Sequence, residues 1–431
     1  MSRQIYAITL CTTLILSSLS FSQTEQSLIK EGAPKIYIDC STCDLNYIKE
    51  QVSLVNYVND RKDADVHILF VSQRTGASGY EYSLFFIGQN KFNGINDTLK
   101  FATDQTDTRD KEREKTVSSL KLGLVKYIAK SKVADQLSIT FIKQSQQTEK
   151  PKDEWDFWFF QASINGFING QERNSFLNIN SSLTANRVTE DLKINLRVSN
   201  SYNESEYKYE DDGEMIIYNS ISRSQSFNGS VYFSIDDHWS WGFGNSLWKS
   251  TYSNITLGTV LSAAIEYNVF PYSQSNQRQI RINYRIAPTH HKYTSETIYF
   301  KTKEELVSQE LSSTLSIIEP WGNTSITISG ANYFHDMDKY ELEISGNVSW
   351  KIVKGLSINI YGGYNKIRNQ ISLPSGGATL EEVLLQRRQL ETGYSYWAGF
   401  GVSYSFGSIY NNIVNPRFGN SGGGQTIIIS N

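Results

Sequence analysis

Gly393-Tyr394-Ser395-Tyr396-Trp397-Ala398-Gly399-Phe400-Gly401-Val402-Ser403-Tyr404-Ser405-Phe406-Gly407-Ser408 is the stretch that decides the fold. Tyr394, Tyr396, Phe400, Val402, Tyr404 and Phe406 share one parity, interrupted only by the small Ala398. Ser395, Gly399, Gly401, Ser403 and Ser405 share the other, with Trp397 the single bulky residue among them. Successive side chains leave a strand on opposite sides, so a repeat of two marks a strand with unlike faces. One face here is aromatic and the other small and polar. About ten alternating residues with aromatic ends suit a strand that meets lipid on one side and a wet interior on the other.

The same alternation runs back to Trp155. Eleven further segments carry it, at 155–169, 176–188, 192–206, 222–236, 238–252, 255–270, 277–291, 307–319, 324–336, 339–353 and 356–371. Segment 255–270 is the cleanest, with Ile255, Leu257, Leu261, Ala263, Ile265, Tyr267 and Val269 outward and Gly258, Ser262, Glu266 and Asn268 inward. The connections supply an independent check. Those at 189–191, 236–238, 271–276, 319–323 and 353–355 are short, and they alternate with the positions of the long ones at 207–221, 292–306 and 374–392. Outer-membrane barrels have short turns on one side, long loops on the other and an even strand number. A soluble β-sandwich is the competing fold, but its strands usually run about five or six residues. The spacing therefore predicts a twelve-stranded transmembrane antiparallel β-barrel over 155–408.

Charged residues fall on the inward parity: Lys193, Arg197, Glu266, Arg281, Arg285, Glu341, Glu343 and Lys351. Facing lipid they would be costly, so they must face the lumen. They either pair across a packed interior or line an aqueous path that biases ion passage. In the third long connection Leu380, Val383, Leu384 and Arg387 lie at helical spacing, predicting an amphipathic helix over 378–390 that caps the mouth or folds inward as a constriction.

Ahead of the barrel, residues 1–22 have the pattern of a secretory signal peptide, with Arg3, an apolar run over 5–19 and Ser20-Phe21-Ser22 before the cleavage point. No later apolar run is long enough to cross a bilayer as a helix, so insertion must be as a closed barrel. Residues 34–148 read as a small α/β domain of order βαββ(β)αβ, with helices at 45–55 and 108–130 and a closing strand at 137–142. Asp44 is the expected cap of the first helix. Cys40 and Cys43 stand at C-x-x-C spacing; with no second pair for zinc, an exported chain favours a local disulfide over a redox-active pair. Residues 149–154 form a polar linker to the barrel, and 409–431 an Asn/Gly/Ser-rich tail returning to the periplasm.

A net charge of −3 excludes the basic surface a nucleic-acid partner requires. The expected partners are outer-membrane lipid and envelope proteins. The mean hydropathy of −0.40 would suggest a soluble chain, yet 26 Tyr, 21 Phe and 8 Trp against 7 Pro suit alternation between lipid and lumen. No Gly-rich phosphate loop, zinc-protease motif or serine elbow occurs, so neither cofactor nor enzyme activity is expected. His238-Trp239-Ser240 has the His-x-Ser spacing of outer-membrane phospholipase A, another twelve-stranded barrel, but falls at a periplasmic turn on the lumen parity, the wrong end and face for that chemistry. His290, His291, His335, Asp336 and Asp338 gather near external strand ends, where solvated rim residues are the ordinary interpretation.

The final aromatic strand resembles the C-terminal recognition strand of bacterial outer-membrane barrels. Ala64-Asp65-Val66-His67, Gln73-Arg74-Thr75-Gly76, Phe86-Ile87-Gly88, Asp237-His238-Trp239-Ser240, Pro320-Trp321-Gly322 and Val414-Asn415-Pro416-Arg417-Phe418 resemble a family of Bacteroidetes outer-membrane β-barrel proteins with an N-terminal periplasmic α/β domain. That resemblance implies a cell-envelope location and this two-part layout, and no catalytic residue. Two functional classes follow: a channel or envelope-structural barrel with a periplasmic docking domain, or an accessory subunit of an assembly or secretion complex in which the barrel is an anchor.

Overall fold

The computed structural model describes residues 29–140, 153–211, 213–376 and 390–415. They divide into two compact units, one made of 29–72, 81–140 and 405–415, the other of 73–80 and 153–404. The segment 1–22 expected to be a signal peptide, most of the expected linker, the helix expected over 378–390 save its last residue, and the tail beyond 415 lie outside the described residues.

The first unit holds β1 (Lys35–Asp39), α1 (Leu45–Gln51), β2 (Asn56–Tyr57), β3 (Val66–Arg74), β4 (Tyr80–Gly88), β5 (Asn96–Thr103) and α2 (Arg109–Ile128). The sheet order is β2-β1-β3-β4-β5, with β1 parallel to both its neighbours. Asp44 caps α1 by accepting from Tyr47 N–H at 3.0 Å, and Thr108 caps α2 by accepting from Lys111 N–H at 3.2 Å, so each helix starts where a side-chain oxygen satisfies an orphan donor. Ile36, Ile68, Leu84 and Phe86 from the sheet meet Leu120, Leu124 and Tyr127 from α2, all of them fully buried. Each such side chain contributes about 1.5–3 kcal/mol of burial. The buried Tyr127 hydroxyl is satisfied by donating to Ile95 O at 2.8 Å. Cys40 and Cys43 are joined in a disulfide immediately before α1.

Two expectations for this unit are corrected. The first helix stops at Gln51, not 55: Val52 N–H still reaches Ile48 O at 2.8 Å, but the chain then turns into β2. Val52 and Val55 are buried all the same, so the apolar pattern was right about burial and wrong about helix. No strand forms over Leu137–Thr140, which is irregular. The sheet is extended instead from the far end of the chain, where Tyr410 bridges Val58 in antiparallel sense. Asn59 N–H donates to Ile409 O (3.0 Å), Asn411 N–H to Tyr57 O (2.8 Å), and Tyr57 N–H to Asn412 Oδ1 (2.6 Å). The beginning of the tail thus covers the open edge of β2, an edge that would otherwise leave backbone groups unpaired.

The second unit is a twelve-stranded sheet: β6 (Trp158–Gly170), β7 (Asn174–Val188), β8 (Leu192–Asp211), β9 (Glu214–Ser234), β10 (Trp239–Ser250), β11 (Ile255–Asn268), β12 (Arg278–Tyr293), β13 (Lys303–Glu319), β14 (Gly322–Tyr333), β15 (Asp336–Val353), β16 (Leu356–Ile367) and β17 (Tyr394–Tyr404). Each strand pairs antiparallel with its neighbours in sequence, and all twelve overlap the segments of alternation. The sheet order runs from β17 to β6 without joining its ends, so among the described residues the cylinder is unsealed at that seam. Lipid imposes closure, because unpaired backbone in hydrocarbon costs several kcal/mol per group.

One face of this sheet is apolar and open to its surroundings. Ile164, Leu183, Leu261, Ile328, Ile360 and Phe400 are all more than half exposed, which water would penalise and lipid would not. Aromatic residues gather toward its borders: Trp241 stacks on Phe233 at 4.9 Å and Trp321 meets Trp350 at 6.4 Å near the short turns, while Tyr394 stacks on Tyr364 at 6.4 Å at the other end. Such girdles belong at membrane interfaces. The architecture is an α/β domain followed by an all-β sheet of the transmembrane-barrel type. One connection differs from expectation. Residues 207–221 are not a loop; β8 and β9 run on as a paired hairpin as far as Asp211 and Glu214.

Candidate functional site

The register shows which side chains share the other face. Residues opposite one another in an antiparallel pair point the same way. Ser240 stands opposite Glu266, Glu266 opposite Asn283, Ser312 opposite Asn283, Ser329 opposite Ser312, and Glu343 opposite Ser329. In the other direction Ser240 faces Ser234, and two residues earlier on β9 Tyr232 faces Lys193. Lys193, Arg197, Glu266, Arg281, Arg285, Glu341, Glu343 and Lys351 therefore lie on one continuous face, opposite the apolar one.

Bulk on this inner face is accommodated by glycine across the strand pair. Trp397 faces Gly363, where a Cβ would come within 2.6 Å of the indole nitrogen; Tyr361 faces Gly399, where a Cβ would meet the phenol ring at 2.2 Å. The close approach accounts for Gly399 on the last strand, while a Cβ at Gly401 would meet open space.

The charges do not behave alike. Arg285 forms an ion pair with Glu310, and Arg281 lies 3.9 Å from Glu266. Glu266 also accepts from the Tyr272 hydroxyl at 3.1 Å, which in turn bonds Ser240 Oγ at 2.7 Å. Glu341 accepts from Asn365 (2.6 Å) and Asn369 (2.8 Å). Lys193 and Arg197 on β8 are exposed on this face, and no hydrogen bond or ion pair reaches either among the described residues. Glu310 and Tyr272 were not singled out from sequence. The parity of Glu310 with Ser312 and Thr314 was a legible signal, whereas Tyr272 sits in a turn and carries none.

At the end of the sheet bearing the long connections the inner wall is covered. Ala287, His291, Tyr293 and Leu306 lie on the inner parity of β12 and β13 and are all buried, as are Thr297, Ile371 and Leu373 in the connections themselves. Ile255, expected outward, is buried with them, because an irregularity in register between it and Leu257 sets it opposite Tyr293. Asn254, buried and held at φ +58°, stitches them together. Its Nδ2 donates to Ser295 O (3.0 Å) and Ser372 O (2.9 Å), while its Oδ1 accepts from Ser295 N–H (2.8 Å). Ile298 N–H donates to Leu373 O at 2.8 Å and Ser375 N–H to Glu296 O at 2.8 Å, tying the two connections to each other. Both therefore fold inward and narrow the interior on the β11–β13 side.

The remaining candidates are placed apart from any reaction centre. His238 Nδ1 lies 2.7 Å from Asn268 O in the β9–β10 turn, while Ser240 is bonded to Tyr272, so the two form no nucleophile–base pair. His290 and His291 occupy opposite faces by parity, and His335 and Asp336 lie at the β14–β15 turn. Among the described residues no group of three or more His, Cys, Asp or Glu side chains is placed to hold a metal ion.

Comparison with known proteins adds little to this geometry. No family model and no curated protein matches the chain. Among solved structures, the NanC porin in its rhombohedral crystal form is similar at 9% identity and a TM-score of 0.26, over 57% of this chain and 99% of that one. A likeness at that score carries no weight beside the strand register.

Proposed function

We propose that this chain is an outer-membrane β-barrel of channel type, with its N-terminal α/β domain in the periplasm. A single observation supports it most strongly: a face of mostly small, polar and charged residues, continuous in register across twelve strands, backs onto an exposed apolar face with aromatic borders. Rolled so that the apolar face meets lipid, the sheet encloses a water-filled path lined by serine, asparagine and charge. The α/β domain, with its own buried core, then serves as a docking module for envelope proteins.

The ion pairs Arg281–Glu266 and Arg285–Glu310, together with the inward connections, favour a second reading, in which the barrel is mainly an anchor and the protein is an accessory subunit of an outer-membrane assembly or secretion complex. Purified full-length protein in planar bilayers separates the two. Stable conductance steps support the channel; a silent bilayer with demonstrably inserted protein supports the anchor. Affinity capture on the α/β domain would then identify its partners.

A further inference from the structure

Charge on the inner face is segregated by strand. The inward positions of β6, β7, β9 and β10 carry Ser, Thr, Asn, Gln, Gly and aromatic residues and neither sign of charge over 159–169, 174–186, 224–234 and 240–250. On β8, between them, stand Lys193 and Arg197. Over these spans the wall of five adjacent strands holds two cations and no carboxylate. Apart from Glu214 at the tip of the β8–β9 hairpin, the inward carboxylates are on β11, β13 and β15, where Glu266 and Glu310 already hold Arg281 and Arg285.

The surroundings of Arg197 are built but unfilled by protein. One recess of about 450 Å³ is lined by Arg197, Asn195, Asn228, Ser230 and Tyr232, and a second of about 320 Å³ by Arg197, Asn165, Asn180, Ser182 and Ser201. Arg197 borders both. The polar walls are tied to one another rather than to the guanidinium: Ser199 Oγ and Ser226 Oγ are 2.7 Å apart, Ser163 Oγ and Ser182 Oγ 2.9 Å, and Ser246 Oγ donates to Asn228 Oδ1 at 2.6 Å. Among the described residues the guanidinium's five N–H donors are thus unspent and presented to whatever enters.

We infer that Arg197, supported by Lys193, is an anion-binding subsite on the passage wall, taking the carboxylate or phosphate group of a hydrophilic solute. A guanidinium fork matches either group with two parallel hydrogen bonds. The neighbouring hydroxyl and amide groups suit the rest of a polar solute.

The inference rests on the channel reading, and its test separates the two. Full-length wild type, Arg197→Gln and Arg197→Lys are compared in planar bilayers under a potassium chloride gradient. The chloride-to-potassium permeability ratio is expected to fall about fivefold in Arg197→Gln and to hold in Arg197→Lys. Acetate and inorganic phosphate, added at equal concentration, should lower the chloride current of wild type but not of Arg197→Gln, and the stronger competitor names the preferred group. Conducting channels whose ratio is the same in wild type and Arg197→Gln, or whose current neither anion lowers, overturn the subsite and leave the channel standing. A wild type that inserts and never conducts overturns both.

Discussion

A ladder of arginines along β11 turns the two-faced sheet into a measurement. Leu261 is the seventh of the fourteen residues of Ile255–Asn268 and is 56% exposed on the apolar face, which puts it at the strand's midpoint. With a rise of about 3.3 Å per residue and a tilt of about 40°, each residue advances about 2.5 Å along the membrane normal. Leu257, four residues earlier on the same face, then lies about 10 Å from the midplane, near the edge of an apolar band about 25 Å tall. Arginine on the lipid face costs about 2–4 kcal/mol at the midplane and about 0–1 kcal/mol near an interface. Leu261→Arg should therefore destabilise by about 2–4 kcal/mol and Leu257→Arg by about 1 kcal/mol or less. Ser262→Arg should sit near zero, because Ser262 is on the opposite face and borders the recess of about 450 Å³. Guanidinium titration of the protein folded into lipid vesicles, followed by tryptophan fluorescence, reads all three. Equal costs at 261 and 262, or at 261 and 257, would refute the assignment of faces and depth.

Three further predictions concern the α/β domain. Gly123→Ala should destabilise it by about 1–2 kcal/mol despite a helix-propensity gain of about 1 kcal/mol, because the new Cβ would lie 2.1 Å from the ring of fully buried Phe86; thermal melts decide, and Phe86→Leu in the same chain should recover part of the loss. Asp107 accepts from Lys111 and Lys115 and from Asp104 N–H, which together hold its carboxyl well below the usual carboxylate range. Its folded pKa being depressed, its contribution is complete above the unfolded value of about 4 and is lost as pH falls toward the folded one. Melting temperatures at pH 7 and pH 3 should converge in Asp107→Asn relative to wild type, and an unchanged difference would count against that role. Asn412→Ala removes the acceptor for Tyr57 N–H and the 3.0 Å bond from Nδ2 to Asn56 Oδ1. A loss of about 1–2 kcal/mol in the domain is expected, and none would mean that the tail does not pair with β2 in solution.

The barrel was legible because lipid on one side and water on the other force a period of two, and nothing local competes with it. Leu257, Leu261 and Ile265 announce their face by type alone. The β8–β9 extension was missed because Lys208, Glu210 and Glu214 lie beyond the apolar band, where no alternation is demanded and a charged hairpin looks like a loop. The inward connections were missed because Asn254 acts through Ser295 and Ser372, distant in sequence and identifiable only once folded. The bridge from the tail to the sheet edge was hidden for the same reason: Tyr410 is more than three hundred residues from Val58. Of the inner face, the eight charged positions could be read from parity, but which of them are spent on ion pairs depends on register, and register is not written in any one strand.

The account stands on the inner face being wet and the outer face being buried in lipid, and a cysteine scan along β12 tests that directly. Cys40 and Cys43 are bonded to each other, so with Cys11 replaced by serine the introduced thiols report alone. In liposomes, a membrane-impermeant maleimide should label positions 281, 283 and 285 and leave 280, 282, 284 and 286 unlabelled. Equal labelling of both sets, or labelling of the even positions only, would contradict the barrel and every assignment built on it.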